Sequence, residues 1–533
     1  MKIKKIVIVG GGSAGWMSAS YLCKTFPNKE IIVIESEEIA TVGVGESTLQ
    51  DITKFRDYLG IDDKDLVQAT NASYKMSIKF TDFYEKDYGS FHYPFRFPEL
   101  ANTNKGLEDW LVIKAFYPET PTEDFVRSFF PHSYLFENNK FSENEYGEFG
   151  NYNKQTDVAY HFDASLFGKY LKDSYCIPRG VQHLKSKVTD IVVSENGIDF
   201  LVLENKDQVF ADLFIDCTGF QSLLLGGALK EEFDSYEDVL PNNRAVATRI
   251  PYVDKEKELQ PFTNCTAIEN GWCWNIPLWS RLGSGYVYSD KYVSPEKALD
   301  EFKEYLMSKK MVIPRTKEQI NNLEFKDIKM RVGIHKRTWV KNVVALGLSA
   351  GFIEPLESNG LFSVQWFLKD LCKCLLREKV TQWDCDVYNT TVRYRFMNFL
   401  EFVVLHYALS IRDDTSYWKN ISLKTFDKNM INLQPTTRVG FADLAARKMM
   451  SHTVDPKAGI TYISVGMNYA ALDGIDYVYD THNYSLGNVK EYVDDRVLFF
   501  NKRKDSWQNA ALDAPSLYEY LRDNIHDTKE NKQ

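Results

Sequence analysis

Lys5-Ile6-Val7-Ile8-Val9-Gly10-Gly11-Gly12-Ser13-Ala14-Gly15-Trp16 is the stretch from which the rest of the chain can be organised. Ile6 to Val9 are β-branched and apolar without alternation, the pattern of a strand buried on both faces in a parallel sheet. The glycines after it turn the chain into a helix that runs through Trp16 to about Lys24. A second apolar strand, Ile31-Ile32-Val33-Ile34, ends on Glu35. Strand, glycine turn, helix, strand and terminal acid make a βαβ unit of the size that binds a dinucleotide. Gly10 permits the tight turn, Gly12 lets backbone approach a pyrophosphate, and Gly15 lets helix pack on strand. Ser13 and Ala14, between the glycines, belong to the turn expected to hold the dinucleotide. Glu35, 20 residues past Gly15, can accept from a ribose hydroxyl and disfavours a 2′-phosphate.

Farther along, an alternating stretch near 187–204 and the strand Leu213-Phe214-Ile215 resume a sheet. Val343-Val344-Ala345-Leu346 adds another buried strand, broken by Gly347. Leu213–Gly219 and Val344–Ala350 look like the second and third strand-and-glycine elements of two-domain flavoproteins. That likeness assigns the dinucleotide as FAD, with Leu348 beside the flavin. No separate NAD(P)H fingerprint is present, so reducing power is expected as FADH2 from another protein. Residues 74–160 are aromatic, acidic and turn-rich, with little strand character. Helical periodicity dominates from about 361 to roughly 448.

The expected fold class is α/β: a GxGxxG, Rossmann-like FAD-binding domain of the two-domain flavoprotein kind, with an additional largely helical substrate domain. The FAD-binding domain is expected to be discontinuous, from 1–75 with 155–380, including a sheet region that contributes to the substrate side. Residues 76–154 and 381–525 form a mainly helical and loop part covering the substrate, and 526–533 a tail.

Composition limits the alternatives. The 533 residues suffice for roughly three domains' worth of structure. The 44% hydrophobic and 26% charged content is that of an ordinary globular chain. A net charge of −10 argues against nucleic acid or anionic membrane as a partner. No apolar run approaches the ~20 residues of a membrane span, and the basic, apolar start is too short for a signal peptide. A cytoplasmic protein is expected. The 8 cysteines form no CxxC pair and read as reduced, buried residues. The histidines show no HxH or HExxH spacing, and His92 and His161 lie in aromatic settings, so metal catalysis is not indicated. Aromatics at 14% suit a pocket for a flat ligand.

One late segment carries chemistry: Gly351-Phe352-Ile353-Glu354-Pro355-Leu356-Glu357-Ser358-Asn359-Gly360. An amphipathic helix follows from Leu361. Its first N–H groups, at Asn359 and Gly360, can hold a small anion, with the Glu357 carboxylate one turn earlier. Glu357 reads either as a helix-capping acid or as a base beside the cofactor. Glu354, before Pro355, reads as structural. Lys75 and Lys79, in Ser73-Tyr74-Lys75-Met76-Ser77-Ile78-Lys79, are equal candidates for a desolvated amine.

With these motifs, the chain resembles the flavin-dependent halogenases of the tryptophan-halogenase type. The resemblance rests on Gly10–Trp16, Gly43-Val44-Gly45-Glu46-Ser47-Thr48, Trp272-Cys273-Trp274-Asn275-Ile276-Pro277 and Glu354–Gly360. Asp238–Arg244 and Glu401–Tyr407 also read as family segments, and the likeness spans about 5–425. It implies that Gly45, Glu46, Ser47, Leu348 and Leu361 help to hold FAD, and that halide sits on Asn359 and Gly360. It selects Lys75 over Lys79 and makes Glu357 the second catalytic group. Trp272, Trp274, Ile276 and Pro277 would lie near the flavin and keep it apart from the organic substrate. Reduced FAD from a separate flavin reductase, with O2 and halide, would give hypohalous acid that travels to Lys75 and halogenates a small aromatic substrate.

Two departures from the family pattern bear on selectivity. Asn359 stands where many members have threonine, which leaves halide preference open, with bromide and iodide as good candidates as chloride. Lys457–Asn468 lacks the Glu that holds tryptophan's backbone in the tryptophan halogenases, and the Ser-Trp pair of the same segment. An indole, phenol or aniline is therefore expected as substrate, with Phe91, His92, Tyr93, Phe95, Phe97 and Trp110 as candidate pocket walls. A hydroxylating flavin monooxygenase and a non-catalytic FAD-binding protein are the alternatives. Apolar surface on the helical portion leaves room for a homo-oligomer.

Overall fold

A computed structural model describes residues 2–36, 46–96, 106–427, 457–468 and 486–526. Gly43, Val44, Gly45, Phe97 and nearly all of the tail expected at 526–533 lie outside the described residues.

The core sheet has six strands in the order Trp339–Val340, Val343–Ala345, Leu213–Asp216, Lys5–Val9, Glu30–Glu35 and Gln182–Lys185. All pairings are parallel except the Trp339–Val340 edge hairpin. Ile6, Val7, Ile8, Leu213, Phe214, Ile215, Val343 and Val344 are fully buried, as a parallel sheet covered on both faces requires. Because the strands run the same way, the turns after Val9, Asp216 and Ala345 emerge along one edge. Backbone bonds stitch them together: Gly10 N to Ile34 O, Cys217 N to Val9 O, and Leu346 N to Asp216 O.

A second sheet of seven strands runs Lys326–Lys329, Arg244–Ile250, Leu282–Tyr288, Gly271–Pro277, Phe262–Ile268, Ser77–Thr81 and Ser90–Pro94. A third, of three short strands, places Ala159–Phe162 between Glu46–Ser47 and Ser73–Lys75. The expectation of little strand character between 74 and 160 is thus corrected. Ser77–Thr81 and Ser90–Pro94 are inner and edge strands of a large sheet. Their alternation is hidden because both faces are largely covered: Ser77, Ile78, Phe80, Phe91 and His92 are all buried.

Over these sheets lie the helices Gly360–Leu375, Gln382–Ala408, Ser416–Asp427 and Leu486–Asp513. Gly360–Leu375 buries Leu361, Val364, Phe367, Leu368, Leu371 and Leu375 along one stripe, which docks it on the Ser13–Thr25 helix. All eight cysteines are free and buried. No described helix is long and apolar enough to cross a membrane.

Candidate active site

The dinucleotide cradle forms where the parallel strands end. Gly10 has φ +112°, and a Cβ there would stand 2.2 Å from the Cys217 carbonyl oxygen. A Cβ on Gly15 would lie 1.9 Å from the Gly10 carbonyl oxygen, so helix and strand meet at a distance only glycine allows. The Ser13–Thr25 helix begins at Gly12 with no side-chain cap, which leaves its first N–H groups open to an anion. Beside them is a cavity of about 130 Å³ lined by Gly11, Gly12, Ser13, Trp16 and Glu35 among others. Glu35, against Gly11, is 2.9 Å from His183 Nε2. The third turn closes over the first: a Cβ on Gly347 (φ +64°) would meet Ala14 Cβ at 3.0 Å, and Ser349 Oγ donates to Gly219 O at 3.1 Å. Open N–H groups, a close-approach glycine turn and a terminal acid fit FAD. Leu348 and Leu361 border this edge, half-buried and buried. Glu46 opens its short strand half-buried, with its carboxyl shielded and pushed up to about 7 by burial.

From there the chemistry-bearing side chains run inward. Lys75 is fully buried. Its Nζ donates to Thr48 O at 2.8 Å and Ser358 Oγ at 2.9 Å, and lies 4.9 Å from the centre of the Phe95 ring. Burial lowers this amine from the ordinary lysine range to about 7, against the smaller opposing influence of Cys265 and Glu357. Lys79, which sequence alone leaves equal to Lys75, is half-buried over Phe262, with Glu137 and Glu123 as its charged neighbours.

Glu357 lies in the turn Pro355–Glu357 and is fully buried. Burial pushes its carboxyl up, and His406 and Lys75 pull the other way. His406 Nε2 is 2.7 Å from Oε1 but off the hydrogen-bond axis, so neither carboxylate oxygen has a well-aimed protein partner. The helix cap is Asn359, so the capping role for Glu357 is corrected. Sequence reasoning missed His406, which comes from a different helix; the Glu401–Tyr407 family segment was the only signal.

Glu354 is buried and accepts from Asn242 Nδ2 at 2.6 Å and Trp272 Nε1 at 3.3 Å. Trp272 thereby anchors the strand Gly271–Pro277 to the turn that carries Glu357. Trp274 lies 6.2 Å from Trp272, flat against Gly285, where a Cβ would strike its ring at 2.2 Å. Ile276 is buried, and the Pro277 carbonyl accepts from Ser73 Oγ.

Asn359 is buried, its Nδ2 contacting Ile353 O at 3.4 Å and its Oδ1 unpaired. The helix it opens has no side-chain cap, so the N–H groups of its first turn keep no intrahelical acceptor. Ser358 before it sits in the left-handed region at φ +57°, and its Oγ accepts from Lys75 Nζ at 2.9 Å.

The expected pocket aromatics divide. Phe95 underlies Lys75, and Tyr93 meets Phe402 and Tyr462. Phe91 packs on Phe80 and Gly466, His92 on Phe136 and Phe262, and Trp110 on Phe125 with Nε1 donating to Asp124. These last three are packing residues.

Residues 5–438 match the family model described as tryptophan halogenase. The chain belongs to the tryptophan halogenase family. It is 36% identical over 438 residues to the 7-chloro-L-tryptophan 6-halogenase KtzR of Kutzneria sp. (strain 744), covering 78% of this chain and 81% of that one. Over 542 residues, 98% of each chain, it is 31% identical to the tryptophan 7-halogenase RebH of Lentzea aerocolonigenes. Among solved structures, the one titled VirX1 apo structure superposes with a TM-score of 0.87 at 36% identity, covering 99% of this chain and 100% of that chain. A tryptophan halogenase of this family is a flavin-dependent halogenase: FADH2 comes from a separate flavin reductase, and halide is a co-substrate. The hydroxylating and non-catalytic alternatives are set aside.

Proposed function

We propose that the protein halogenates an electron-rich arene of the indole, phenol or aniline class beside Lys75, with Glu357 receiving the ring proton. The observation that carries this reading is Lys75 itself: a fully buried amine whose two bonded hydrogens go to Thr48 O and Ser358 Oγ. A neutral amine has two N–H groups and one lone pair, so both donors are spent and the lone pair remains. FAD, when bound, supplies with O2 the oxidising power that converts halide to hypohalous acid. The lone pair of Lys75 takes the halogen of HOX; the N–X bond forms, the O–X bond breaks, and hydroxide leaves with an amine proton as water. Halogen passes to the ring carbon, the ring proton goes to Glu357, and the amine recovers a proton.

The shielding of Glu357 suits that role, because a desolvated carboxylate without a well-aimed hydrogen bond is a stronger base than a solvated one. Halide is assigned to the first-turn N–H groups at Asn359 and Gly360. The missing Glu and Ser-Trp pair in Lys457–Asn468 supports a substrate other than free tryptophan.

The test supplies FAD, a flavin reductase, NADH, one of chloride, bromide or iodide, and a panel of indoles, phenols and anilines, with products read by mass. Halogenated arenes are expected. Hydroxylated products without halogen would overturn the reading.

A further inference from the structure

Six hydrogen bonds join Lys75 to the Pro277 carbonyl through Ser358, Ser47, Thr263, His161 and Ser73. Strand register builds this chain. Ser47 and Ser73 are the direct cross-strand partners of His161 from either side, so all three share a face of the short sheet. Lys75, two residues beyond Ser73, shares it too. Tyr74 and Tyr160 point the other way, into a cluster with Asp63 and Arg56. Ser73, Lys75 and His161 have no exposure, and Thr263 and Ser358 are buried.

The bonds can run in only one direction. Pro277 O can only accept, so the hydrogen of Ser73 is committed to it. Ser73 Oγ must then accept from His161 Nδ1, 3.3 Å away, and that nitrogen carries the ring proton. Burial holds His161 well below the usual histidine range, so the ring is neutral and Nε2 can only accept. Thr263 Oγ1 donates to it at 2.9 Å, Ser47 donates to Thr263 at 2.6 Å, and Ser358 donates to Ser47 at 3.0 Å. With its hydrogen committed, Ser358 can only accept from Lys75.

We propose that His161 and Thr263 are positioning residues, fixing the donor direction along this chain so that Ser358 never caps the Lys75 lone pair. The inference rests on the assignment of halogen transfer to Lys75. If the chain is cut between His161 and Ser47, the Ser358 hydroxyl is free to turn and donate to the neutral amine. That cap blocks the lone pair and stabilises the uncharged form. The charged and titratable groups facing Lys75 are Cys265, Glu357 and His161; Thr263→Val replaces none of them and removes from them one hydrogen bond, the one to His161 Nε2.

The test is Thr263→Val, nearly isosteric and without the hydroxyl. Halogenated product per FADH2 oxidised should fall about tenfold, the size of one lost hydrogen bond's worth of orientation. The pH–rate limb that reports Lys75 should move to lower pH, with FAD binding and melting temperature close to wild type. Thr263→Ser should restore most of both losses. Thr263→Ala, which also lacks the hydroxyl, should repeat the effect and serves if Thr263→Val folds poorly. Wild-type yield and limb in both variants, or a loss of yield with the limb unmoved, would overturn the proposal. Halogenation that survives in Lys75→Ala would instead overturn the assignment of Lys75 on which it rests.

Discussion

At the proposed halide site, Asn359 departs chemically from the pattern this chain resembles. Its backbone keeps the helix-start N–H groups, while a buried amide with an unpaired Oδ1 replaces a hydroxyl and a methyl. Asn359→Thr should shift competition toward chloride, measured as the ratio of chlorinated to brominated product from an equimolar mixture; an unchanged ratio would mean that backbone donors alone set preference. For Glu357→Gln the rate should drop by about 10²-fold or more, the usual worth of a general base. That loss should be confined to the halogenation step, with O2 consumption retained. Sequence leaves Lys75 and Lys79 level as candidates for a desolvated amine; the fold separates them, burying Lys75 fully, which lowers it to about 7, and leaving Lys79 half-buried. On the proposed transfer through the neutral amine, halogenation should rise with pH through about 7 and level off above it. A rate that falls over that range would assign the work to the ammonium. His161 looked like one more ring among aromatics because its partners come from segments far apart in sequence.

At the scale of elements, legibility followed length and period. Lys5–Val9 and Glu30–Glu35 declare themselves by unbroken apolar runs and a glycine fingerprint. Glu46–Ser47, Ser73–Lys75 and Ala159–Phe162 are two to four residues long, too short for any periodic signal, yet their register sets the groups around Lys75. The strand Gly271–Pro277 announces itself by its tryptophans, but the reason Trp274 can lie flat is Gly285 on the next strand. Gly285→Ala should push the Trp274 ring aside and cost about 1–3 kcal/mol, as overpacking in a filled core does. Thermal unfolding reads this directly, and a melting temperature equal to wild type would show that the ring has room to move. Gly15→Val, with a Cβ 1.9 Å from the Gly10 carbonyl oxygen, should abolish FAD binding outright, as followed by flavin fluorescence.

Across the whole molecule, the cofactor cradle and the buried amine are carried by different sheets. The six-stranded sheet ends in the three glycine turns, the short sheet holds Lys75, and the seven-stranded sheet presents Trp272 and Trp274. The turn Pro355–Glu357 joins them, since Glu354 takes Trp272, Ser358 takes Lys75 and Asn359 opens the docking helix. In the proposed mechanism, a diffusing hypohalous acid links the cradle to the amine. The most direct test pairs O2 uptake with product mass spectrometry on wild type and Lys75→Ala, each given FAD, flavin reductase, NADH, bromide and an indole. Equal O2 consumption is expected from both proteins, with brominated indole from wild type alone. Brominated indole from Lys75→Ala at the wild-type rate would contradict a transfer through Lys75.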